Sequence, residues 1–216
     1  MNGIVVSLFD KTGNAVRPWA EAGYDCKCYD IAHDDYSIER VGAGNIWRIP
    51  FDLHHKLPNI GAEIDMVFAF PPCTHLSVSG ARWFKGKGLR ALADSVHMFA
   101  TAAEFCEASG APYLIENPVS TISTYWRKPD HAFHPWQYTE YELSDHYTKR
   151  TCLWTGGGFV MPDSAIAFQL EGVDPDNRIH AAPPSDERAD FRSATPMGFA
   201  RAVFEANSPL ARRAAA

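Results

Sequence analysis

The stretch "IDMVFAFPPC", Ile64–Cys73, decides how the rest of the chain is read. Its apolar residues run without the polar alternation of a half-exposed strand, and β-branched and aromatic side chains dominate. That pattern predicts a strand covered on both faces, as in a parallel sheet. Two consecutive prolines then end it, because neither supplies an amide to continue a ladder and both hold the backbone stiff. A thiol follows at once. Disulfide partner, metal ligand and nucleophile are all open to a cysteine in that place, and the remaining sequence has to separate them.

Working outward, other short apolar runs end in the same way. "GIVVSLF" (Gly3 to Phe9) predicts a strand that runs into "DKTG" and a short helix closing at Gly23. "YDCKCYDI" alternates and ends at Asp30, "IWRIPFDL" is a weaker candidate ending at Asp52, and "PYLIENP" stops at Pro118. From Gly88 to Ser109, apolar residues at Leu89, Leu92, Val96, Phe99, Ala103 and Cys106 keep the three-and-four spacing of an amphipathic helix, with Gly110 behind it. A last helix is expected over "TPMGFARAVFEA", with Pro196 near its start and "RRAAA" as a frayed tail. Strands alternating with helices predict an α/β fold: a mostly parallel sheet with helices on both faces. Ligands in such sheets bind beyond the carboxyl ends of the strands. Asp10, Asp30, Asp52, Cys73 and Glu116 each fall at a predicted strand end, so one edge of the sheet is expected to gather them.

Composition narrows the function classes. The 216 residues are 46% hydrophobic and 21% charged, as for a folded globular chain. No apolar run has the length of a membrane span, and the N-terminus lacks a signal-peptide pattern. Five cysteines, an odd count, do not suggest a secreted disulfide framework, so a reducing cytoplasm is the expected setting. The net charge of −6 argues against broad coating of duplex DNA, which needs basic surface. Cys26-x-Cys28 has no second pair to complete a zinc site, and His54-His55 and His131-x-x-His134 lack partners at ligand spacing, so no metal is expected. Gly-x-Ser-x-Gly, GxGxxG and the Walker phosphate loop are all absent from the sequence.

Taken in order, "LFDKTG", the strand-end Asp30, "FPPCT" and "ENP" resemble the DNA (cytosine-5)-methyltransferases, and in particular small phage-type members without a large target-recognition domain. The likeness covers about the first three quarters of the chain. It implies a Rossmann-like class I methyltransferase domain over 1–207, a reduced recognition insert near 155–194 and a tail over 208–216. It implies S-adenosylmethionine as cofactor, S-adenosylhomocysteine as product, and DNA as partner. Single-stranded DNA or a free cytosine nucleotide stands as the alternative substrate, a catalytically silent binding relative as the alternative role, and an oligomeric partner is left open. The implied setting is the cytoplasm of a bacterial or phage-infected cell.

The family's chemistry explains the residue types. Carbon 5 of cytosine attacks a methyl sulfonium only after a thiolate has added at carbon 6, and Cys73 is the implied nucleophile. Glu116 is implied at N3 and the exocyclic amine, where a carboxyl that keeps its proton activates carbon 6. Asn117 and Pro118 fix the loop, and Arg150 is the candidate support for the flipped base. Phe9, Asp10, Gly13, Asp30, Asp52 and Pro71 form the implied cofactor set. One departure is plain: Lys11 stands where the family carries the first glycine of its first motif. The segment "ARWFKGKGLR" sets Arg82, Lys85, Lys87 and Arg90 beside Trp83 and Phe84, and reads as a loop that closes over a nucleotide and touches phosphates. An amino-group methyltransferase is disfavoured, because cysteine rather than an aromatic residue follows Pro71-Pro72.

Overall fold

The computed structural model describes residues 3–78, 84–181 and 193–210. Arg82 and Trp83 of the basic loop, and most of the final tail, lie outside these residues. Eight strands form one sheet: β1 (Ile4–Leu8), β2 (Asp25–Asp30), β3 (Ser37–Val41), β4 (Gly44–Pro50), β5 (Met66–Ala69), β6 (Tyr113–Pro118), β7 (His131–Phe133) and β8 (Thr151–Gly156). Their spatial order is β3-β4-β2-β1-β5-β6-β8-β7. Helices α1 (Arg17–Glu21), α2 (Phe84–Ser109), α3 (Ile122–Tyr125), α4 (Arg178–Ala181) and α5 (Met197–Asn207) complete the main elements.

The expectation of a mostly parallel sheet needs correction, because the sheet is mixed. Its centre, β4-β2-β1-β5-β6, is parallel throughout, whereas β3, β8 and β7 run antiparallel to their neighbours. Both reversals follow from the connections. Two residues, Gly42 and Ala43, join β3 to β4, which is hairpin length and cannot span a parallel crossover. From β6 the chain reaches β8 through α3, β7 and short 3-10 turns, with no long helix to carry it back along the other face.

Strands at the centre alternate between two apolar layers. Val5, Met66, Phe68 and Leu114 face one side, where Trp19 of α1 and Phe199 and Val203 of α5 cover them. Val6, Leu8, Val67, Ala69 and Ile115 face the other, against Phe99, Ala102 and Cys106 of α2. Covering on both faces is why these strands read as unbroken apolar runs. Trp19 is fully buried and meets Tyr24, Phe68 and Phe204 edge-on, at centroid distances of 5.1, 6.2 and 5.3 Å. Phe133 and Phe199 stack at 3.8 Å, which fastens the antiparallel edge to α5. Among the described residues, no helix is long and apolar enough to cross a membrane.

The helix predicted from Gly88 begins four residues earlier. Gly88 breaks it with φ 79° and ψ 171°, so Phe84–Lys87 forms a separate turn ahead of the long amphipathic segment. A backbone at that φ favours glycine, and no neighbour within 4 Å crowds the position.

Candidate functional site

The carboxyl ends of β1, β2, β4, β5 and β6 open onto one cleft of about 980 Å³. Its walls include Phe9 and Asp10 after β1, Asp30 at the end of β2, Asp52 after β4, Pro71 and Cys73 after β5, and Glu116 within β6. Arg150 lines it from the segment entering β8. The strand-end residues picked out from sequence thus share one edge of the sheet. Gly13 is the exception among the candidates: it is buried beneath the first loop, at φ 72°, and does not line the cleft.

The first loop is organised around one carboxylate. Asp10 is 4% exposed and accepts hydrogen bonds from Ser7 Oγ at 2.7 Å, Thr12 N at 3.0 Å, Thr12 Oγ1 at 3.2 Å and Gly13 N at 2.7 Å. Just before it, Phe9 turns out of β1 at φ 56°, the one positive φ at a non-glycine residue among the described residues. That conformation costs on the order of 1–2 kcal/mol and is held by the surrounding bonds, including Phe9 N to the Tyr29 carbonyl at 2.8 Å.

Two further carboxylates stand along the same wall. Burial raises the Asp30 carboxyl above its ordinary value, and the Ala32 amide, His33 and Lys11 oppose that rise. Asp52 accepts the His54 amide at 2.9 Å, and the His54 ring packs against His55 and His97 with both centroid distances at 4.8 Å. Apolar Ile31, Phe51 and Leu53 lie between these polar groups.

On the opposite wall, the rigid turn after β5 carries the thiol. The Cys73 carbonyl accepts the amides of Leu76 at 3.0 Å and Ser77 at 2.9 Å, so the chain curls tightly behind the side chain. Cys73 is half-buried, and none of the five cysteines forms a disulfide. Desolvation pushes the thiols of Cys26 and Cys28 well up, which marks them as inert core residues. No group of three or more histidine, cysteine, aspartate or glutamate side chains suited to a metal occurs among the described residues.

The Cys73 loop is stitched to the Glu116 loop. Asn117 Nδ2 donates to the Pro71 carbonyl at 2.9 Å, Val78 N to Val119 O at 3.0 Å, and Thr121 N to Leu76 O at 3.0 Å. An isolated bridge between Ser77 and Ser120 completes the seam. Adjacent parallel strands bring the two loops together, and these bonds keep them in register.

Glu116 itself lies between the cleft and a narrow apolar recess walled by Phe68, Phe70, Leu114, Phe133 and Phe199. Desolvation there raises its carboxyl above the ordinary value, and the Lys149 ammonium is the group that pulls it down. Sequence reading singled out Arg150 from "TKRTCLW". The structure leaves Arg150 exposed, with its charge acting on Cys152, and makes the adjacent Lys149 the cation that acts on Glu116. Lys87 departs from expectation too, because its ammonium caps the Thr74 carbonyl at 2.6 Å and so ties the start of α2 to the thiol loop.

No family model matches the chain, and no curated protein matches it. Among solved structures, a similar one is a protein provisionally described as a DNA modification methyltransferase encoded within an E. coli prophage. It is 14% identical with a TM-score of 0.42, over 85% of this chain, and this chain spans only 56% of its length.

Proposed function

We propose that the chain transfers a methyl group from S-adenosylmethionine to carbon 5 of cytosine in DNA, with Cys73 as the nucleophile toward carbon 6. The observation that carries this reading is the pairing of Cys73 and Glu116 on one cleft, on loops cross-tied through Asn117 and Pro71. A covalent mechanism needs a sulfur and a proton donor held in constant relation on the two sides of a pyrimidine.

In the proposed reaction the Cys73 thiolate gives its electron pair to carbon 6. Glu116, whose carboxyl burial raises above its ordinary value, shares a proton with N3, so the charge displaced from the C5–C6 bond is accommodated and carbon 5 becomes nucleophilic. The cofactor, when bound, supplies an electrophilic methyl on sulfur and leaves as S-adenosylhomocysteine. A water molecule then takes the proton from carbon 5, the C6–S bond breaks with its electron pair leaving on the Cys73 thiolate, and the proton shared at N3 returns to Glu116, which restores the aromatic ring and the enzyme. Lys149 opposes the rise at Glu116.

The wall opposite the thiol suits such a cofactor. Asp30 is a half-buried carboxylate fit for ribose hydroxyls, while Phe9, Ile31 and Leu53 offer apolar surface to a purine. Asp52, which also lines the cleft, takes the adenine amine in this proposal. A cytosine in duplex DNA has to leave the stack to enter the cleft, and the modest span between β8 and α5 supports recognition over few bases. Single-stranded DNA fits the net charge of −6 as well, since fewer phosphates then need neutralising.

Mass spectrometry of nucleosides from DNA incubated with the chain and S-adenosylmethionine tests the proposal. The expected product is 5-methyldeoxycytidine, absent for Cys73→Ser, while the variant keeps cofactor affinity within a few-fold. Methylation that persists in Cys73→Ser would remove the thiol from the mechanism.

A further inference from the structure

We infer that Lys11 binds the α-carboxylate of the methyl donor, in place of loop amides that are already engaged within the loop. This rests on the cofactor reading just given. The usual device for an anion at such a strand-to-helix turn is a set of unengaged amides at a helix N-terminus. In this chain three successive amides are already engaged inside the loop. Thr12 N and Gly13 N both donate to Asp10 Oδ1, and Asn14 N donates to Thr12 Oγ1 at 3.2 Å. The helix that follows, Arg17–Glu21, has only five residues, and Pro18, Trp19 and Ala20 of it are buried.

The surrounding field favours a cation. Asp10, Asp30 and Asp52 all line this cleft, so an incoming carboxylate meets three groups of its own sign. Lys149 and Arg150 enter from the β8 side, where Lys149 acts on Glu116. Lys11 is exposed, lines the cleft between Asp10 and Thr12, and is close enough to Asp30 to pull that carboxyl down against burial and against the repulsion of Asp10. Its long stem lets the ammonium follow a ligand while the loop beneath stays rigid. The same ammonium that acts on Asp30 therefore offers a counter-charge to the amino-acid end of the cofactor. The ribose and adenine fall to Asp30, Phe9 and Asp52.

Calorimetric binding of two ligands separates this from a general effect on the cleft. S-adenosylhomocysteine carries the α-carboxylate, and 5′-methylthioadenosine has the same nucleoside without the amino acid. Lys11→Met is expected to weaken S-adenosylhomocysteine by roughly tenfold, the scale of one charge-assisted contact. It leaves 5′-methylthioadenosine within twofold, and Lys11→Arg restores most of the loss. Equal weakening of both ligands, or of neither, overturns the role of Lys11 while leaving the cofactor reading intact. If the unaltered chain binds neither ligand, the cofactor reading fails and this inference falls with it. Unchanged thermal melting of the variants, expected for an exposed side chain, confirms that the comparison is between folded proteins.

Discussion

Asn117 Nδ2 donates a 2.9 Å hydrogen bond to the carbonyl of Pro71, joining two loops that lie 46 residues apart in the chain. Asn117 is 1% exposed, and its amide is the side-chain link between the turn that carries Cys73 and the strand that carries Glu116. Asn117→Ala removes the donor and leaves the Pro71 carbonyl without it inside the protein. A loss of about 1–3 kcal/mol in urea unfolding is expected. Catalysis should fall further than stability alone dictates, because the relative position of thiol and carboxyl loosens. Measured over a range of substrate concentrations, the loss should sit in kcat and spare KM.

Glu116 predicts a specific dependence of stability on pH. Its folded-state carboxyl is raised by burial above the ordinary value of 4.5, so the folded protein holds the proton more tightly than the unfolded chain. Its contribution is complete below that ordinary value and is lost as pH rises through the raised one. Glu116→Gln has no such loss. The variant should therefore gain stability over the parent as pH climbs above 4.5, with the gap levelling off once the parent carboxyl is ionised. In a Lys149→Gln background the opposing ammonium is gone, and the levelling should move to higher pH. Denaturant titrations across a pH series read both effects, and a gap that shrinks with rising pH would refute the burial argument.

Cys73 predicts a trapped complex. Fluorine in place of the hydrogen at carbon 5 blocks the final elimination, so the carbon–sulfur bond persists. DNA containing 5-fluorocytosine and S-adenosylmethionine should shift the chain to a denaturant-resistant adduct on electrophoresis. Cys73→Ala should give none. Cys106→Ala should still form it, because that thiol sits on the buried face of α2 with its ionisation strongly suppressed by desolvation.

The parts of the fold that sequence reading reached are those whose physics is local and strong. Val67, Phe68 and Ala69 are buried on alternate faces, so the run that contains them admits little besides a central strand. The antiparallel edges were beyond its reach for an equally physical reason. In β3, "SIERV", Ile38 is 51% exposed and Glu39 is held by Arg17 and Arg48, so the segment reads as solvated loop. Three-residue β7 carries no periodicity at all. Direction after Pro118 depends on a connection whose path follows tertiary packing, such as Phe133 on Phe199. Within the site, the strand-end acids and the thiol were legible because strand ends in parallel sheets share an edge. Lys149 was not, since two adjacent cations in "TKRTCLW" look alike in sequence and only the fold shows that Lys149 acts on Glu116.

Lys85 and Lys87 make the final prediction, because they stand two residues apart and the structure gives them different work. Both were read from sequence as phosphate contacts. Lys87 spends its ammonium on the Thr74 carbonyl, held there by the turn Phe84–Lys87 that Gly88 sets off from the rest of α2. Lys85 is exposed on that same turn. A lysine that neutralises a phosphate releases a counterion, so its removal lowers the dependence of DNA affinity on salt by about one unit in the logarithmic slope. Lys85→Met is expected to show that change with kcat nearly intact. Lys87→Met should leave the slope unaltered and lower kcat, since the thiol loop loses a tie at the residue next to Cys73. Gly88→Ala should act like Lys87→Met, because a side chain at φ 79° is strained and the turn that presents Lys87 to Thr74 shifts to relieve it. Affinities measured over a salt series for all three variants decide the matter, and equal slope changes for Lys85→Met and Lys87→Met would refute the division of labour.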